Sequence, residues 1–336
     1  MRRAPTVTIA GAGVLGLATA LGLADAGCAV TVCDPGLGNA SSVAAGMIAP
    51  AFEAVLDAPA RPHFNLLVAA RDLWPALAQR AGVTLDRSGA LAAGADAWLE
   101  QVEAGFHALS IAPTEIGANT ARALAPGLDM PGRRALMTRE DWRLDAPSAL
   151  RALTAAAVAA GVVFKRETLR ARGGADVMVL ATGAAAHDLA PESAWLSPIK
   201  GHIVRVAGPS FGTVVRGEDV YAAPGAGMVF GATMEPGRRD TVVEDARGQP
   251  LLAAGLQLFP GLVGLPVTTS VGIRAATPDG LPMVGASAAP GVLLAVGARR
   301  NGWLLAPLVA QVVAACVTGR DPGPYAAWLD PARFRA

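Results

Sequence analysis

The sequence predicts a mixed α/β (α+β) fold: a parallel, doubly wound sheet interleaved with a smaller domain built on an antiparallel sheet. Three observations carry this. A strand, a glycine turn, a helix and a second strand follow one another in "VTIAGAGVLGLATALGLADAGCAVTVCD", residues 7–34. A later apolar strand, "DVMVLATGAAA" (176–186), ends in small residues, the pattern of a buried parallel strand. From Pro198 to Met234 the pattern changes to short alternating strands separated by glycine-rich turns, which predicts an antiparallel sheet.

The first unit has three readings, because the uncharged run Val7–Ala24 follows two arginines. It reaches the length of a spanning helix, and "MRRAP" with "LADAG" loosely imitates a secretory signal. The glycines favour the third reading, a Rossmann-type dinucleotide site. Gly11, Gly13 and Gly16 have the G-x-G-x-x-G spacing after the β-rich Val7–Ala10, and Asp34 closes the next strand about 20 residues on, where such folds place an acid for ribose hydroxyls. Gly11 permits the tight turn, Gly13 lets backbone approach a pyrophosphate, and Gly16 lets helix and strand pack closely. The helix N-terminus supplies amide donors and a positive dipole.

Composition supports a globular chain. At 336 residues it suits two interleaved domains. A net charge of +1 without a basic block makes nucleic acid an unexpected partner. The mean hydropathy of +0.40 owes much to scattered alanine, and the other long uncharged run, Trp303–Thr318, is interrupted by Pro307 and Gln311 and falls short of a membrane span. Cys28, Cys33 and Cys316 form no metal or disulfide framework, as expected of a cytoplasmic protein. His63, His107, His187 and His202 show no pairing suited to metal. Only Lys165 and Lys200 are lysine, so an arginine must be judged by its neighbours.

Along the chain, "GNASSVAAGMIAP" (38–50) is a small-residue loop able to lie against a flat ring, and residues 62–81 read as one helix. A strand at 89–92 and a helix over 96–109 follow, then a loop, "RALAPGLDMPG" (122–132). Asp145 reads as an N-cap, with Pro147 in the first turn of a helix reaching Ala160. Another helix is predicted over 245–258. The chain returns through "TSVGIRAATPDGLPMVG" (269–285) to a last strand, glycine loop and helix in "GVLLAVGARRNGWLLAPLVAQVVAACVTG" (291–319), so the C-terminus is expected in the nucleotide domain.

Six blocks in order, "GAGVLGLATA", "SSVAAGMIAP", "PIKGHIVRV", "YAAPGAGMVFGATM", "GIRAATPDGLPMVG" and "GARRNGWLLAP", resemble the D-amino acid oxidase superfamily of flavoenzymes, within it the glycine oxidases of thiamine synthesis. The resemblance covers nearly the whole chain. It implies an FAD-binding domain at 1–53, 138–196 and 268–336, with a substrate-binding domain at 54–137 and 197–267. FAD would lie extended, its flavin between the domains, and be non-covalent, since no cysteine or histidine falls in the blocks placed at the ring. Gly11, Gly13, Val14, Leu15 and Gly16 would face the pyrophosphate, and Asp34 and Pro35 the adenosine ribose. Ser41 and Ala45-Gly46-Met47 would follow the ribityl chain and flavin edge. Ala181, Thr182 and Gly183 end the returning strand beside the cofactor, and Leu169 would meet the adenine. Ile273 with Arg299, Arg300, Asn301, Gly302, Trp303 and Leu304 would close over the pyrimidine side.

The flavin carries the chemistry in this family: a neutral amine loses hydride to N5, the imine is hydrolysed, and O2 becomes hydrogen peroxide. The resemblance makes Arg274 the clamp for an amino-acid carboxylate, Arg300 a second substrate-side arginine, and Tyr221 and Met234 pocket residues. Lys200 stands either near the flavin or as a solvated strand lysine, outside the catalytic set. Three departures stand out: Ala298 where a histidine is common, a short 164–176 segment, and a shortened 221–234 hairpin with Trp303 in place of a smaller apolar residue. Glycine or small D-amino acids are the expected substrates, with O2 as acceptor and a homo-oligomer possible. Alternatives are a D-amino acid dehydrogenase passing electrons to a quinone or carrier, a sarcosine-type oxidase, and a flavin-binding protein without turnover.

Overall fold

The chain folds around two large sheets and one two-stranded sheet, Met47–Ile48 with Trp142–Arg143, which a computed structural model describes over residues 4–130, 132–185, 188–210 and 212–334. His187 lies outside the described residues. The first sheet has six strands, in the order Met283–Ala286, Val292–Val296, Val177–Leu180, Thr6–Ala10, Ala29–Cys33, Val163–Lys165. Its inner pairings are parallel: Thr6–Ala10 lies between Ala29–Cys33 and Val177–Leu180, with Ile9 opposite both Val32 and Val179. Helices Val14–Asp25, Ala146–Ala159 and Gly302–Thr318 cover one face, burying Ile9, Leu17, Leu21, Leu153 and Val309 in one core. The opposite face buries Met178, Leu180 and Met283 against Leu196 and Ala275, with Leu169 packed at the edge.

The second sheet has nine strands. Eight run in the order Glu235–Pro236, Ser197–Val206, Gly227–Gly231, Tyr221–Gly225, Val214–Arg216, Ala90–Ala92, Arg134–Thr138, Thr114–Gly117, and Val267–Ala276 also pairs with Ser197–Val206. That last pairing is antiparallel along its whole length, from Ser197↔Ala276 to Val206↔Val267. Residues 268–276, expected with the nucleotide domain, therefore hydrogen-bond within the second sheet, and the chain crosses to the first only afterwards. The sheet is antiparallel except where Val214–Arg216 runs parallel to Ala90–Ala92. Phe230, Val204 and Val215 pack on one face, and Ile203, Leu136, Phe52 and Phe106 on the other.

Local chemistry explains most elements. Asp145 accepts the Ser148 amide at 2.9 Å and Pro147 occupies the first turn of Ala146–Ala159. Helix Asp245–Leu258 has the predicted bounds despite Pro250. The predicted helix over 62–81 is two, Phe64–Asp72 and Trp74–Ala81. Pro75 lacks an amide hydrogen and its ring opposes the carbonyl four residues back, so the helix restarts there. Residues 122–124, expected in a loop, end a short helix, Ala118–Leu124. Among the described residues no helix is long and apolar enough to cross a membrane, and no cluster suits a metal ion. All three cysteines are free.

Candidate active site

A cradle and a cavity lie end to end. At the cradle, Gly11 has φ +105°, and a Cβ there would run into the Ala181 carbonyl. A Cβ at Gly16 would collide with the Gly11 carbonyl, so both close approaches demand glycine. Asp34 accepts the Ala12 amide with one carboxylate oxygen and the Gly36 amide with the other, each at 2.7 Å, and so fixes the glycine turn to the second strand. Helix Val14–Asp25 begins at Gly13 without a side-chain cap from that residue and with no acid in its first turn. The Val14 amide donates to Ser41 Oγ at 3.0 Å, and both residues also line the cavity. The cradle thus opens directly into the cavity, and the pair fits an extended dinucleotide such as FAD.

The cavity holds about 440 Å³ between the sheets. Its walls include Ala45, Gly46 and Met47 from the small-residue loop and Arg299, Arg300, Asn301, Gly302 and Trp303 from the start of the last helix. Tyr221, Met234 and Arg274 form the wall on the second sheet. Gly13, Leu15, Pro35, Thr182 and Gly183 do not line it, in keeping with their place at or near the cradle end. Two predicted residues lie elsewhere. Leu304 is buried in the helix core at 1% exposure. Ile273 is opposite Lys200, so strand alternation puts its side chain on the face away from the cavity residue Arg274.

Arg274 lies flat over Gly201, where a Cβ would overlap its guanidinium. It donates to the Thr233 carbonyl at 3.1 Å and contacts Met234 Sδ at 3.5 Å, and has no carboxylate partner among the described residues. Burial lowers its pKa, opposed by the nearby Tyr221. The Tyr221 hydroxyl makes no hydrogen bond within the described residues, and burial raises its pKa. Trp303 is fixed by its Nε1–H donating to the Ser41 carbonyl at 3.1 Å and its carbonyl accepting from Trp74 Nε1 at 2.9 Å. Helix Gly302–Thr318 also starts with no cap and no acid, directly after Arg299 and Arg300. Ala298 is buried beside Trp303.

Sequence reasoning missed Glu53 and Arg216. Glu53, on the helix Pro50–Leu56, is 6% exposed and faces Arg300 at 3.3 Å and Arg216 at 3.5 Å. Burial pushes the Glu53 carboxyl up, but Arg300, Arg216 and Arg299 outweigh it and hold the group below its ordinary pKa. Arg216 is 3% exposed, with its guanidinium 5.6 Å from the Phe52 ring and 5.7 Å from the Tyr221 ring. The available signal was the buried-strand context of "TVVRGEDVY", overlooked in an arginine-rich chain. Lys200 is neither solvated nor at the cavity: it is fully buried and paired with Asp240 at 2.6 Å and Glu244 at 3.3 Å.

A glycine cradle feeding a cavity between two sheets defines a protein of the dinucleotide-binding class. The family model for DAO, FAD-dependent oxidoreductases, matches residues 6–316, and the chain belongs to that family. It is 28% identical to the glycine oxidase of Pseudomonas aeruginosa over 95% of this chain and 98% of that protein. It is 30% identical to the bifunctional protein ThiO/ThiG of Trichormus variabilis over 98% of this chain, and spans 55% of that protein's length. The crystal structure of glycine oxidase from Geobacillus kaustophilus matches with a TM-score of 0.81 at 26% identity, covering 98% of this chain and 99% of that one.

Proposed function

We propose that this chain is an FAD-dependent amino-acid oxidase of the glycine-oxidase type, acting on glycine or small D-amino acids and yielding a 2-oxo acid, ammonia and hydrogen peroxide. The carrying observation is the convergence on one cavity of the Arg274 guanidinium, which has no carboxylate partner among the described residues, and the Tyr221 hydroxyl, which has no hydrogen bond among them. The fork of Arg274 suits a carboxylate in two parallel hydrogen bonds. Tyr221, with its pKa raised by burial, keeps its proton at neutral pH and donates it to the same carboxylate. Holding the carboxylate fixes the α-carbon, and orientation is the main demand on the protein.

FAD, when bound, supplies the oxidising chemistry by taking up the hydride equivalent that the α-carbon loses as amine becomes imine. Gly11, Gly13, Val14, Leu15 and Gly16 would hold its pyrophosphate, with Asp34 and Pro35 toward the ribose, Leu169 toward the adenine and Ala181 to Gly183 alongside. Ser41, the 45–47 backbone and residues 299–303 would hold its ribityl and flavin portions. The uncapped end of the last helix, with Arg299 and Arg300, favours negative charge there. Trp303, locked by two hydrogen bonds, excludes water from that wall.

Purified holoprotein should bleach anaerobically with glycine or D-alanine and form peroxide in air. Bleaching without peroxide would identify a dehydrogenase using a carrier, and formaldehyde from sarcosine would identify N-demethylation. No bleaching with any amino acid would overturn the proposal.

A further inference from the structure

The cavity wall carries four arginines, Arg216, Arg274, Arg299 and Arg300, and they are not equivalent. Arg299 is ion-paired with Asp57. Arg216 and Arg300 both direct Nη2 at one atom, Glu53 Oε1. Arg274 alone has no carboxylate within the described residues. Glu53 is rigidly supplied: the amides of Ala51 and Phe52, at the start of its helix, donate to the two oxygens of buried Asp141 at 2.8 and 3.1 Å. Its second oxygen, Oε2, is sealed from solvent and has no hydrogen-bond partner among the described residues. Glu53 lines the cavity, but Oε2 is sealed and Oε1 is the atom that Arg216 and Arg300 share, so Glu53 acts through the arginines it holds.

We propose that Glu53 is a positioning residue that determines specificity: by occupying Arg216 and Arg300 with one carboxylate, it leaves a single anion clamp, Arg274, and thereby disfavours ligands with a second carboxylate. This rests on the reading of Arg274 as a carboxylate clamp. With Glu53 charged, a second ligand carboxylate near Arg300 meets a buried negative charge within a few ångströms of the same guanidinium. Like charges so placed are a strong barrier to the wrong ligand. With Glu53 neutral, two guanidinium groups face the cavity uncompensated, and a dicarboxylate gains a second clamp.

The test uses the FAD-loaded protein and two inhibitors of similar size, acetate and malonate, titrated by perturbation of the flavin spectrum. Wild type should bind acetate more tightly than malonate. Glu53→Gln, which keeps shape and removes charge, should raise malonate affinity relative to acetate by about tenfold or more, with the gain fading at high salt. An unchanged or lower ratio in a Glu53→Gln protein that retains FAD would overturn the inference. A merely structural Glu53 would weaken both ligands together. Glu53→Asp gives a second arm: it keeps the charge, so the malonate-to-acetate ratio should stay within about twofold of wild type, and a rise like that expected of Glu53→Gln would show that side-chain length and not charge sets the ratio, which would overturn the inference. Wild type that binds neither ligand, in holoprotein that also fails to bleach with amino acids, would instead remove the clamp on which the inference rests.

Discussion

The strand pair Ser197–Val206 and Val267–Ala276 carries buried charge on both faces, and the two faces differ in how that charge is satisfied. Toward the cavity, Gly201, Ile203 and Gly272 make a low wall on which Arg274 rests without an acid. On the other face, Lys200 is shared between Asp240 and Glu244, and Arg238 binds Glu235, Asp240 and Glu244. His202 completes that network, with Nδ1 2.9 Å from Glu235 and Nε2 accepting the Glu244 amide at 3.2 Å. Removing a charge from water is costly, and protein usually compensates it internally. The saturated face is therefore architecture, tying residues 235–244 to the sheet. The unsaturated face is where we propose that a ligand supplies the missing anion.

Breaking the unsaturated face should give the largest effect. Arg274→Ala should weaken acetate and amino-acid binding by about 30- to 1000-fold, the equivalent of ~2–4 kcal/mol for a charge-assisted bidentate contact, with FAD retained. Arg274→Lys should recover only part, because an ammonium cannot form the fork. Unchanged acetate affinity in Arg274→Ala would place the clamp elsewhere.

The saturated face should answer in stability instead of affinity. The Lys200 and Arg238 cations hold the Asp240 and Glu244 carboxyls below the usual range, Glu244 at about 2. Lys200→Met leaves both acids with Arg238 and with solvent, so melting should fall by several degrees while acetate affinity stays within about twofold. A depressed carboxylate stabilises above its unfolded pKa and loses that contribution as pH falls through the folded value. The gap between wild type and Lys200→Met should accordingly hold at neutral pH and close on acidification below about pH 4. A large affinity loss without a stability loss would erase the distinction between the faces.

The same contrast explains what was legible in the sequence. The glycine turn, the Asp145 cap and the bounds of the helix Asp245–Leu258 were readable because each depends on residues within one or two turns. Arg274, Tyr221 and Met234 were named only through block order in the family resemblance, and the structure brings them to one cavity. Glu53 and Arg216 meet 163 residues apart, and nothing local to either announces the other. The sheet pairing of residues 268–276 was hidden for a related reason. An apolar strand shows its periodicity in sequence but not its partner, and only the ten-residue register with Ser197–Val206 fixes its sheet. Lys200 failed oppositely: a lone lysine in a strand looks solvated until the 235–244 segment folds over it.

On the cavity side, Asp141 gives a smaller and pH-dependent effect. Burial pushes its carboxyl up to about 7, opposed by Arg216 and by the Ala51 and Phe52 amides and reinforced by Glu53. Between the unfolded value near 4 and about pH 7 the native state holds a proton that the unfolded chain lacks, so this group's stabilisation is full below that window and is lost as pH rises through it. Asp141→Asn removes the titration. The wild-type melting temperature should therefore fall relative to Asp141→Asn as pH rises from about 4.5 to 7.5. Parallel curves would mean that Asp141 is ionised throughout.

The smallest effect concerns how far the binding site extends beyond the clamp. Met234 lines the cavity, is 38% exposed, and lies with Sδ 3.5 Å from Arg274 Nη1, while Tyr221 closes the neighbouring wall from a hairpin that turns tightly at residue 226. A thioether there limits the room beyond a substrate's α-carbon but, being flexible and half open to solvent, does not seal it. Hydrophobic walls discriminate by only ~1–3 kcal/mol per methylene, so the preference for glycine, sarcosine and D-alanine over bulky D-amino acids should be graded. Met234→Ala should shift kcat/KM toward longer side chains by about tenfold at most, without loss of FAD or of acetate affinity beyond a few-fold. The Arg274 guanidinium also donates to the Thr233 backbone carbonyl, a contact that Met234→Ala leaves in place. Side-chain preference should therefore move while the carboxylate clamp does not. If wild type already oxidises D-phenylalanine or D-arginine far faster than glycine, Met234 and Tyr221 do not bound the substrate, and the site extends to other cavity residues such as Trp98 and Glu218.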